Sequence, residues 1–384
     1  MLLFHAYGSG GVARTVVNLA NHLADTRDVE VISLFRRRDE PRFPLDPRVR
    51  LTVLHDTRRS NSFRDGLARR PTRLRPEPSE TQMSLLTDLL LRRKLGSLRH
   101  GLLLSTRPSL HLAATRYAHK GVVTVGQEHL NFPSRSRNPR QLPVLTTAVP
   151  GLDAYTVLTE ADASDYRAAM PGVDTDIRVI RNALPWPVAD APAPLDRKVV
   201  VAAGRLAPEK GYPRLLRAFA PIAAAHPGWE LHIYGVGPER AALATRIDRL
   251  GLDGRALLMG YTDDLRGVLA NASAYAMTSH SEGFPMALIE AMSLGVPPVV
   301  MDCPRGPAEI VADGHNGRLL ADGDEGGFTA ALCDLVERAD VRRRLGAQAL
   351  EDSRAYTMDR IGAQWEALFT ELEGDRNPAF SRRA

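Results

Sequence analysis

Two successive runs of short apolar segments that alternate with amphipathic segments constrain the fold of this chain more than any other feature. The first run predicts strands at residues 2–6, 29–34, 49–54, 102–105, 122–125, 154–158 and 177–180. The second run predicts strands at residues 198–203, 231–234, 256–259, 274–277 and 299–301. Because strands separated by helices pair in parallel through crossover connections, each run predicts a doubly wound α/β domain. Such sheets bind ligands at the carboxyl ends of their strands, so we expect a ligand cleft between two such domains.

A proline-rich stretch separates the two runs. Residues 182–187 read Asn-Ala-Leu-Pro-Trp-Pro, and residues 191–194 read Ala-Pro-Ala-Pro. A chain of 384 residues is also too long for one typical hydrophobic core. We therefore expect an N-terminal domain at 1–185, a C-terminal domain at 195–356, and a final helix with its tail at 357–384.

Composition places the chain among ordinary globular proteins. Hydrophobic residues make up 44% and charged residues 25% of it, and no uncharged apolar run is long enough to predict a transmembrane helix. The first four residues predict a truncated strand and not a signal peptide, because no basic region precedes them. Cys303 and Cys333 are too few for a disulfide framework and suggest no metal cluster. A reducing, cytoplasmic location is the expectation.

Charge is distributed unevenly. Residues 1–190 hold 28 Lys and Arg against 19 Asp and Glu, whereas the remainder holds 22 against 26. A basic first half could contact an anionic membrane at its inner face, or a polyanionic acceptor. The alternative is an arginine-rich surface that is merely solvated. Nucleic acid is not expected as a partner, because the basic runs lack interleaved aromatic residues.

Two glutamates, Glu282 and Glu290, lie eight positions apart around the start of an apolar helix. Gly283 permits a tight turn, and Pro285 suits the first position of a helix because its missing N–H needs no partner there. One carboxylate then lies at the helix mouth and the other further along the helix. This span suits one elongated ligand with a hydroxyl group at each end and an anionic centre, which is the shape of a nucleotide sugar. Alternatively, the two acids flank an ordinary core helix.

A second candidate site follows the predicted strand that ends at Ala203. Arg205 and Lys210 flank a turn between Gly204 and Gly211, and a helix is predicted to begin there. Two cations beside a helix N-terminus can neutralise a diphosphate without a metal ion. A P-loop does not fit, because Lys210 is followed by glycine and not by Ser or Thr. The alternative is a pair of ordinary surface cations.

A metal-dependent reaction would instead need an Asp-x-Asp pair beside a strand. The chain has this short pattern at residues 174–176 and 322–324. Both stand in turn-like surroundings, and so short a pattern arises often by chance. We therefore expect no metal ion and no other cofactor.

These residues resemble glycosyltransferase family 4, which has the GT-B fold. The resemblance rests on the Glu-x7-Glu pattern that begins Glu-Gly-Phe-Pro at residue 282, on residues 204–211, and on residues 303–310. The last of these resembles a bacterial surface-polysaccharide and teichoic-acid branch. The resemblance implies an α/β architecture of two Rossmann-like doubly wound parallel-sheet domains that face each other across a cleft. It also implies that the helix predicted at Met358–Leu372 crosses back onto the first domain.

The resemblance also assigns roles to residues. It implies a catalytic set of Arg205, Lys210, Glu282 and His129. It implies a donor-binding set of Gly10, Gly11, Gly204, Gly235, Tyr261, Gly283, Phe284, Pro285 and Glu290. Gly235 and Tyr261 are alternatively turn residues, and His129 is alternatively a structural histidine, with Glu128 a weaker candidate beside it. Asn182 resembles the family's hinge asparagine. The family's opening strand is longer, so either the start codon is misplaced or the strand is shortened here.

The implied reaction is metal-independent transfer of a sugar, with retention of configuration, from a UDP- or GDP-type donor to a hydroxyl group. The attack comes from the front face, and the leaving phosphate acts as the base. The acceptor expected is a cell-surface glycan, a polyol-phosphate or a lipid-linked intermediate. Alternatives are a small natural-product acceptor, epimerisation or phosphorolysis on the same fold, and a catalytically inactive nucleotide-binding protein. The fold does not fix the donor base, the sugar, the acceptor or the linkage formed.

Overall fold

The chain folds into two compact units, one of which contains both ends of the described sequence. A computed structural model describes residues 1–8, 10–58, 66–74, 82–139 and 141–376. The first unit comprises Met1–Pro185 and Met358–Ala384, and the second comprises Trp186–Thr357. Each unit is an α/β domain with its own parallel sheet.

The first unit is built on a seven-stranded parallel sheet in the order β3-β2-β1-β4-β5-β6-β7. Its strands are β1 (Leu2–Leu3), β2 (Glu30–Arg36), β3 (Arg50–Asp56), β4 (Gly101–Ser105), β5 (Val122–Gln127), β6 (Ala154–Val157) and β7 (Asp176–Val179). Its first helices are α1 (Gly11–Leu23), α2 (Leu85–Ser97), α3 (Pro108–Tyr117), α4 (Phe132–Ser136), α5 (Leu142–Ala148) and α6 (Glu160–Ala169). The central strands are apolar on both faces because helices cover both sides of the sheet.

The second unit repeats this design with a six-stranded parallel sheet in the order β10-β9-β8-β11-β12-β13. Its strands are β8 (Val199–Ala203), β9 (Glu230–Tyr234), β10 (Ala256–Gly260), β11 (Ala274–Met277), β12 (Pro298–Asp302) and β13 (Arg318–Ala321). Its helices are α7 (Tyr212–Ala225), α8 (Arg240–Arg249), α9 (Leu265–Ala270), α10 (Met286–Met292), α11 (Pro307–Ile310), α12 (Glu325–Glu337) and α13 (Ala339–Ser353). In both sheets the strand order reverses after the first strand of the domain, as in Rossmann domains.

The last helix, α14 (Met358–Arg376), packs on the first unit, as the resemblance implies. Trp365 and Leu368 are buried in a cluster with Leu19 and Leu23 of α1. Polar contacts at the edge of this cluster fix the helix further, because Arg27 donates from Nε to Glu366 at 2.7 Å. The chain therefore returns to its first domain after completing the second.

The predicted strands are all present in the structure, with two differences. Beyond Leu3 the pairing with β2 becomes irregular, because the carbonyl of Phe4 accepts from the amide of Phe35 but the amide of Ala6 donates to the hydroxyl of Ser33, so β1 has two residues and not five. The four-residue edge strand β13 was not predicted, since its sequence is short and begins with arginine. Within the described residues, no helix combines the length and the apolar character needed to cross a bilayer.

The proline-rich stretch after Pro185 is grouped with the second unit. The indole Nε1 of Trp186 donates to Ser293 at 3.0 Å, and the amide of Ala193 donates to the carbonyl of Leu294 at 2.8 Å. These contacts anchor the stretch to the end of α10.

Candidate functional site

The carboxyl ends of β8 and β11 lie side by side in the second unit, where the strand order of the sheet reverses. Loops leaving such a reversal point diverge to opposite faces of the sheet and leave a crevice between them. Residues 204–211 form the loop after β8, and residues 278–285 form the loop after β11. The sequence-predicted cations and carboxylate therefore meet at one edge of one sheet.

The two loops are docked against each other through their backbones. Gly211 has a φ of +63°, and a Cβ there would collide with the carbonyl oxygen of Thr278. The hydroxyl of Thr278 in turn donates to the carbonyl of Gly211 at 3.1 Å. The amide of His280 donates to the carbonyl of Glu209 at 2.7 Å. Only glycine fits at position 211, and this close approach sets the distance between the two loops.

Arg214, on the first turn of α7, holds the loop after β11 in place. Its side chain is buried and donates to the carbonyls of Thr278, at 2.5 Å, and of Ser279. It also pairs with the carboxylate of Asp322 at 2.6 Å. Because burying a guanidinium is costly unless its donors are hydrogen-bonded, these contacts satisfy it and tie the loop to α7. No sequence signal pointed to Arg214.

Lys210 and Glu282 form the centre of the site. The ammonium of Lys210 donates to both carboxylate oxygens of Glu282, at 2.7 and 3.0 Å. The hydroxyl of Ser279 donates to the same carboxylate at 2.5 Å. The side chains of the ion pair are 22% and 9% exposed, so the pair is open to a ligand. Lys210 and Glu282 lie 72 positions apart in the sequence and are in direct contact in the fold, so they are close enough for one ligand to meet both.

Arg205 belongs to the same loop after β8 as Lys210. Its guanidinium pairs with Glu209 at 2.7 Å, and its side chain is 67% exposed. An ion pair this exposed stabilises the fold by at most about 1 kcal/mol, so the guanidinium can leave it for an anionic ligand at little cost.

Tyr212 adds a hydroxyl group that sequence reasoning missed. Its OH is buried and has no hydrogen-bond partner among the described residues. A Cβ built on Gly204 would come within 3.0 Å of both this hydroxyl and Cε of Lys210. Burial raises the pKa of Tyr212 far above its ordinary value, and the nearby Glu282 adds to this rise. The hydroxyl therefore stays protonated and available as a donor. Its position directly after Gly211 was the available signal.

Gly235 has a structural reason to be glycine. Its φ is +147°, and a Cβ there would collide with the carbonyl oxygen of Gly204. The amide of Gly204 donates to the carbonyl of Tyr234, and that of Leu206 donates to the carbonyl of Val236. The loop after β9 therefore packs directly on the loop after β8. This packing explains Gly235 as a turn residue at the edge of the site.

The Glu-Gly-Phe-Pro segment leads into α10, but this helix begins one residue later than predicted. Pro285 precedes the helix, which starts at Met286, because its ψ of 81° is not helical. Gly283 and Phe284 lie in the loop, and the ring of Phe284 is buried against Tyr356 with ring centroids 5.8 Å apart.

Glu290 lies in the second turn of α10 and is 1% exposed. Tyr261, by contrast, follows Gly260 at the end of β10 and is 49% exposed. Of these two candidates for donor contact, Glu290 is therefore almost inaccessible to solvent and Tyr261 is about half exposed.

Gly10 and Gly11 lie in the first unit, where α1 begins. Gly10 is the N-cap of the helix with a φ of −81°, a value open to any residue. A Cβ added to either glycine would meet no atom of the described residues within 4 Å. That part of the protein therefore imposes no steric need for glycine here, in contrast to Gly211 and Gly235. This leaves room for close approach by a ligand.

His129 follows β5 in the first unit and is neutral. The pKa of its imidazole is lowered to about 4, mainly by burial, with Glu128 opposing the shift and the cations Arg107 and Arg135 adding to it. Its Nε2 is buried and has no hydrogen-bond partner among the described residues. The uncharged ring can therefore donate or accept one hydrogen bond.

Glu128 has a different role from the one that its position next to His129 indicated. Its carboxylate accepts from the guanidinium of Arg135 at 2.7 and 3.0 Å, and from the hydroxyls of Tyr155 and Tyr166 at 2.9 and 3.0 Å. The amides of His129 and Leu130 also donate to it. Although burial opposes ionisation, Arg135 and these donors hold the pKa of Glu128 at about 2. The carboxylate is a saturated structural anion, so its weaker candidacy as a site residue is not supported.

The aspartates of the Asp-x-Asp pattern at residues 322–324 already make contacts within the second unit. Asp322 pairs with Arg214, and Asp324 accepts from the amide of Gly327 as the N-cap of α12. At residues 174–176, Asp176 begins β7 and pairs with Arg178.

Comparison with known proteins agrees with this geometry. Residues 9–185 match the family model described as Glycosyltransferase Family 4. Residues 189–352 match the model described as Glycosyl transferases group 1.

The chain belongs to glycosyltransferase family 4.

Its relatives in this family include proteins of bacterial surface glycans. In an alignment of 380 residues, the chain is 33% identical to an exopolysaccharide phosphotransferase of Streptomyces coelicolor. The alignment covers 96% of this chain and 40% of that protein. Over 169 residues, or 44% of its length, it is 32% identical to an amylovoran biosynthesis glycosyltransferase of Erwinia amylovora, and it spans 47% of that protein. The chain thus spans less than half the length of these two relatives.

A solved structure shows the same fold over nearly the whole chain. TarM of S. aureus, solved as a variant with fondaparinux, α-GlcNAc-glycerol and UDP, superposes with a TM-score of 0.78 at 17% identity. The match covers 96% of this chain and 99% of that one. The two Rossmann-like domains and the returning C-terminal helix are therefore those of the GT-B fold.

Proposed function

We propose that this chain transfers a sugar from a nucleoside diphosphate sugar to a hydroxyl group, with retention of configuration and without a metal ion. One observation carries the proposal: Lys210 and Glu282 are in contact at the reversal point of the second sheet, and the loop that holds Lys210 also presents the exposed side chain of Arg205. Family membership, the relatives in surface-glycan synthesis and the UDP named for TarM support a donor of the UDP-sugar class.

In this proposal, Lys210 and Arg205 bind the diphosphate. The acceptor oxygen forms a bond to C1 of the sugar while the bond from C1 to the phosphate oxygen breaks, and the electron pair stays on the diphosphate. The proton of the acceptor hydroxyl passes to the departing phosphate oxygen. Negative charge on the outer phosphate grows along this path, so fixed cations stabilise the transition state more than the bound donor.

Glu282 has two roles in this scheme. Its carboxylate accepts from the hydroxyl of Ser279 and holds the ammonium of Lys210 in place. Once the ammonium of Lys210 also donates to the diphosphate, the carboxylate of Glu282 can accept hydrogen bonds from hydroxyls of the donor sugar. Tyr212 supplies a neutral donor for a phosphate oxygen, and Glu290 is assigned to the far end of the donor.

We assign the acceptor to the surface-glycan class, namely a glycan, a polyol-phosphate or a lipid-linked intermediate. The printed names of the relatives and the glycosylated glycerol in the TarM structure support this class. Gly10, Gly11 and His129 of the first unit are the residues proposed to meet the reacting sugar or its acceptor.

We also propose that this chain acts in the cytoplasm and docks on an anionic membrane through α2. Arg92 and Arg93 of α2 and Arg99 just after it are exposed, and Leu89 of α2 is 44% exposed. Basic side chains each contribute about 1 kcal/mol near an anionic surface. Sedimentation with phosphatidylglycerol vesicles should be lost in an R92E/R93E variant and should be absent for phosphatidylcholine vesicles. Equal sedimentation of both proteins would remove this assignment.

The test of function begins with binding. Melting temperatures with UDP and GDP identify the base, and sugar release from the corresponding nucleotide sugars, with and without EDTA, identifies the reaction. The proposal predicts release that survives EDTA and a product with the anomeric configuration of the donor. A strict requirement for Mn²⁺ or an inverted product would contradict the mechanism. Nucleotide binding without any sugar release or transfer would point to the inactive alternative.

A further inference from the structure

Three potential metal ligands converge on the second unit, away from the loops after β8 and β11. His226 ends α7, and Cys333 and Glu337 lie one turn apart near the end of α12. The Sγ of Cys333 is 3.8 Å from Nε2 of His226 and 3.5 Å from Oε1 of Glu337. The distance from Nε2 of His226 to Oε1 of Glu337 is 3.2 Å. Neither cysteine showed a metal-binding spacing in the sequence, because the histidine is 107 positions away.

The residues that carry these side chains are well fixed. The amide of His226 donates to Ile222 at 2.8 Å, and its carbonyl accepts from Arg255 at 2.9 Å. Cys333 packs against the hydrophobic core of the unit, so α12 cannot move away freely. The ligand set is therefore placed by the fold and is only partly exposed, with His226 at 24% and Glu337 at 55%.

The three distances match those between the ligands of a tetrahedral zinc ion. With ordinary zinc–ligand bond lengths, the sulfur and nitrogen ligands lie about 3.6 Å apart, sulfur and oxygen about 3.5 Å, and nitrogen and oxygen about 3.3 Å. The observed separations of 3.8, 3.5 and 3.2 Å agree to within about 0.2 Å.

We propose that His226, Cys333 and Glu337 bind one Zn²⁺ ion, with water as the fourth ligand. One thiolate and one carboxylate neutralise the charge of a divalent ion, and the imidazole completes three protein ligands. Mg²⁺ and Ca²⁺ prefer sets made only of oxygen, so a set with sulfur and nitrogen selects against them. The ion joins the end of α7 to the end of α12 and stabilises the second unit. It is separate from the proposed transfer reaction, which needs no metal.

The experiment uses the full chain, reduced and stripped of metal by dialysis against a chelator. Addition of ZnCl₂ should bind one equivalent and raise the melting temperature by about 5 °C when zinc is at 100 times its Kd. The C333S and E337Q variants should lose both effects. A matched control is H232Q, because His232 also pairs with a glutamate, Glu230, at 2.7 Å in this unit but has no cysteine beside it.

Cobalt provides a readout that depends on no variant. Co²⁺ bound by the wild-type chain should give the charge-transfer absorption of a thiolate–cobalt bond, and Zn²⁺ should abolish it by displacement. Failure of the wild-type chain to bind one equivalent of Zn²⁺, or equal zinc affinity in C333S, would overturn the proposal. Because neither measurement involves a nucleotide sugar, this result is independent of the proposed function.

Discussion

Each of the two domains places a carboxylate and a cation in contact beyond the carboxyl ends of its parallel strands, but the two pairs differ in what surrounds them. Glu128 and Arg135 of the first domain are 2% and 3% exposed, and the carboxylate accepts from two tyrosines and two backbone amides besides the guanidinium. Glu282 and Lys210 of the second domain are 9% and 22% exposed.

The difference shows why position at a sheet edge does not by itself define a site. A carboxylate whose oxygens are saturated by buried donors has nothing left to offer a ligand, and removing one partner leaves an uncompensated charge. A pair in which the ammonium is partly exposed can exchange one partner for a ligand at lower cost. We therefore assign stability to the Glu128–Arg135 pair and ligand binding to the Lys210–Glu282 pair, and each prediction below can break that contrast.

The largest effect is expected for Lys210→Ala. Loss of the ammonium that stabilises the departing diphosphate should lower kcat/KM for sugar transfer by about 10³-fold, while the melting temperature stays close to that of the wild type. Steady-state kinetics and thermal unfolding on the same preparation check both parts. A Lys210→Ala protein with unchanged turnover would remove the diphosphate assignment.

Glu128→Gln should show the opposite pattern. It leaves the buried Arg135 guanidinium without its counter-ion, so the free energy of unfolding of the first domain should fall by about 3 kcal/mol. Nucleotide binding by the second domain should be unchanged. Urea unfolding followed by isothermal titration with the nucleotide tests the separation; weakened nucleotide binding without a loss of stability would reverse the two assignments.

The stability that the Glu128–Arg135 pair contributes should depend on pH. The pKa of Glu128 is about 2 in the folded chain, whereas the ordinary pKa of a glutamate side chain is 4.5. The unfolded state therefore takes up a proton first, and the stability from ionised Glu128 is present above pH 4.5 and is lost as the pH falls toward 2. The difference in unfolding free energy between wild type and Glu128→Gln should shrink over that range. A constant difference from pH 7 to pH 3 would contradict this account.

Arg205→Ala is expected to lower kcat/KM by about 100-fold, less than Lys210→Ala, because the exposed guanidinium is more mobile and better solvated. Its pairing with Glu209 contributes little to the fold, so stability should not change. Glu209→Gln is the control, since it removes the same ion pair but keeps the cation. If both variants lost activity equally, the pair itself and not the cation would be responsible.

The smallest effect is expected for Tyr212→Phe. Removing a buried hydroxyl that has no partner within the described protein should leave stability unchanged or slightly raised. If the hydroxyl donates to the donor phosphate, KM should rise by about 10-fold with a smaller change in kcat. Identical kinetics would mean that the hydroxyl does not meet the ligand.

Much of the fold was predictable because strands buried on both faces read as continuous apolar runs, as at Ala274–Met277. The strand β13 was not, since a short edge strand lacks that signal. In the second domain the sequence predicted the strand before Lys210 and the helix after Glu282, and the structure showed that the strands before the two residues are adjacent. The roles of Arg214 and Ser279 were not readable, because they depend on how two loops pack.

In the first domain the sequence indicated a site candidate that the structure shows to be a structural residue. Glu128 and His129 stand after a strand end and read as site candidates. The residues that saturate Glu128 come from α4, β6 and α6, and no local pattern marks them as its partners. The buried donors that saturate its oxygens, and not its position in the sequence, decide that this carboxylate is structural.

The most direct test of the central claim compares a nucleoside diphosphate with its nucleoside by isothermal titration, in the presence of EDTA. The diphosphate used is whichever of UDP and GDP raises the melting temperature more, and the nucleoside is the matching uridine or guanosine. The account predicts that the wild type binds the diphosphate about 100-fold more tightly than the nucleoside, and that Lys210→Met removes most of this difference. Unchanged diphosphate affinity in Lys210→Met, or loss of wild-type binding in EDTA, would contradict it.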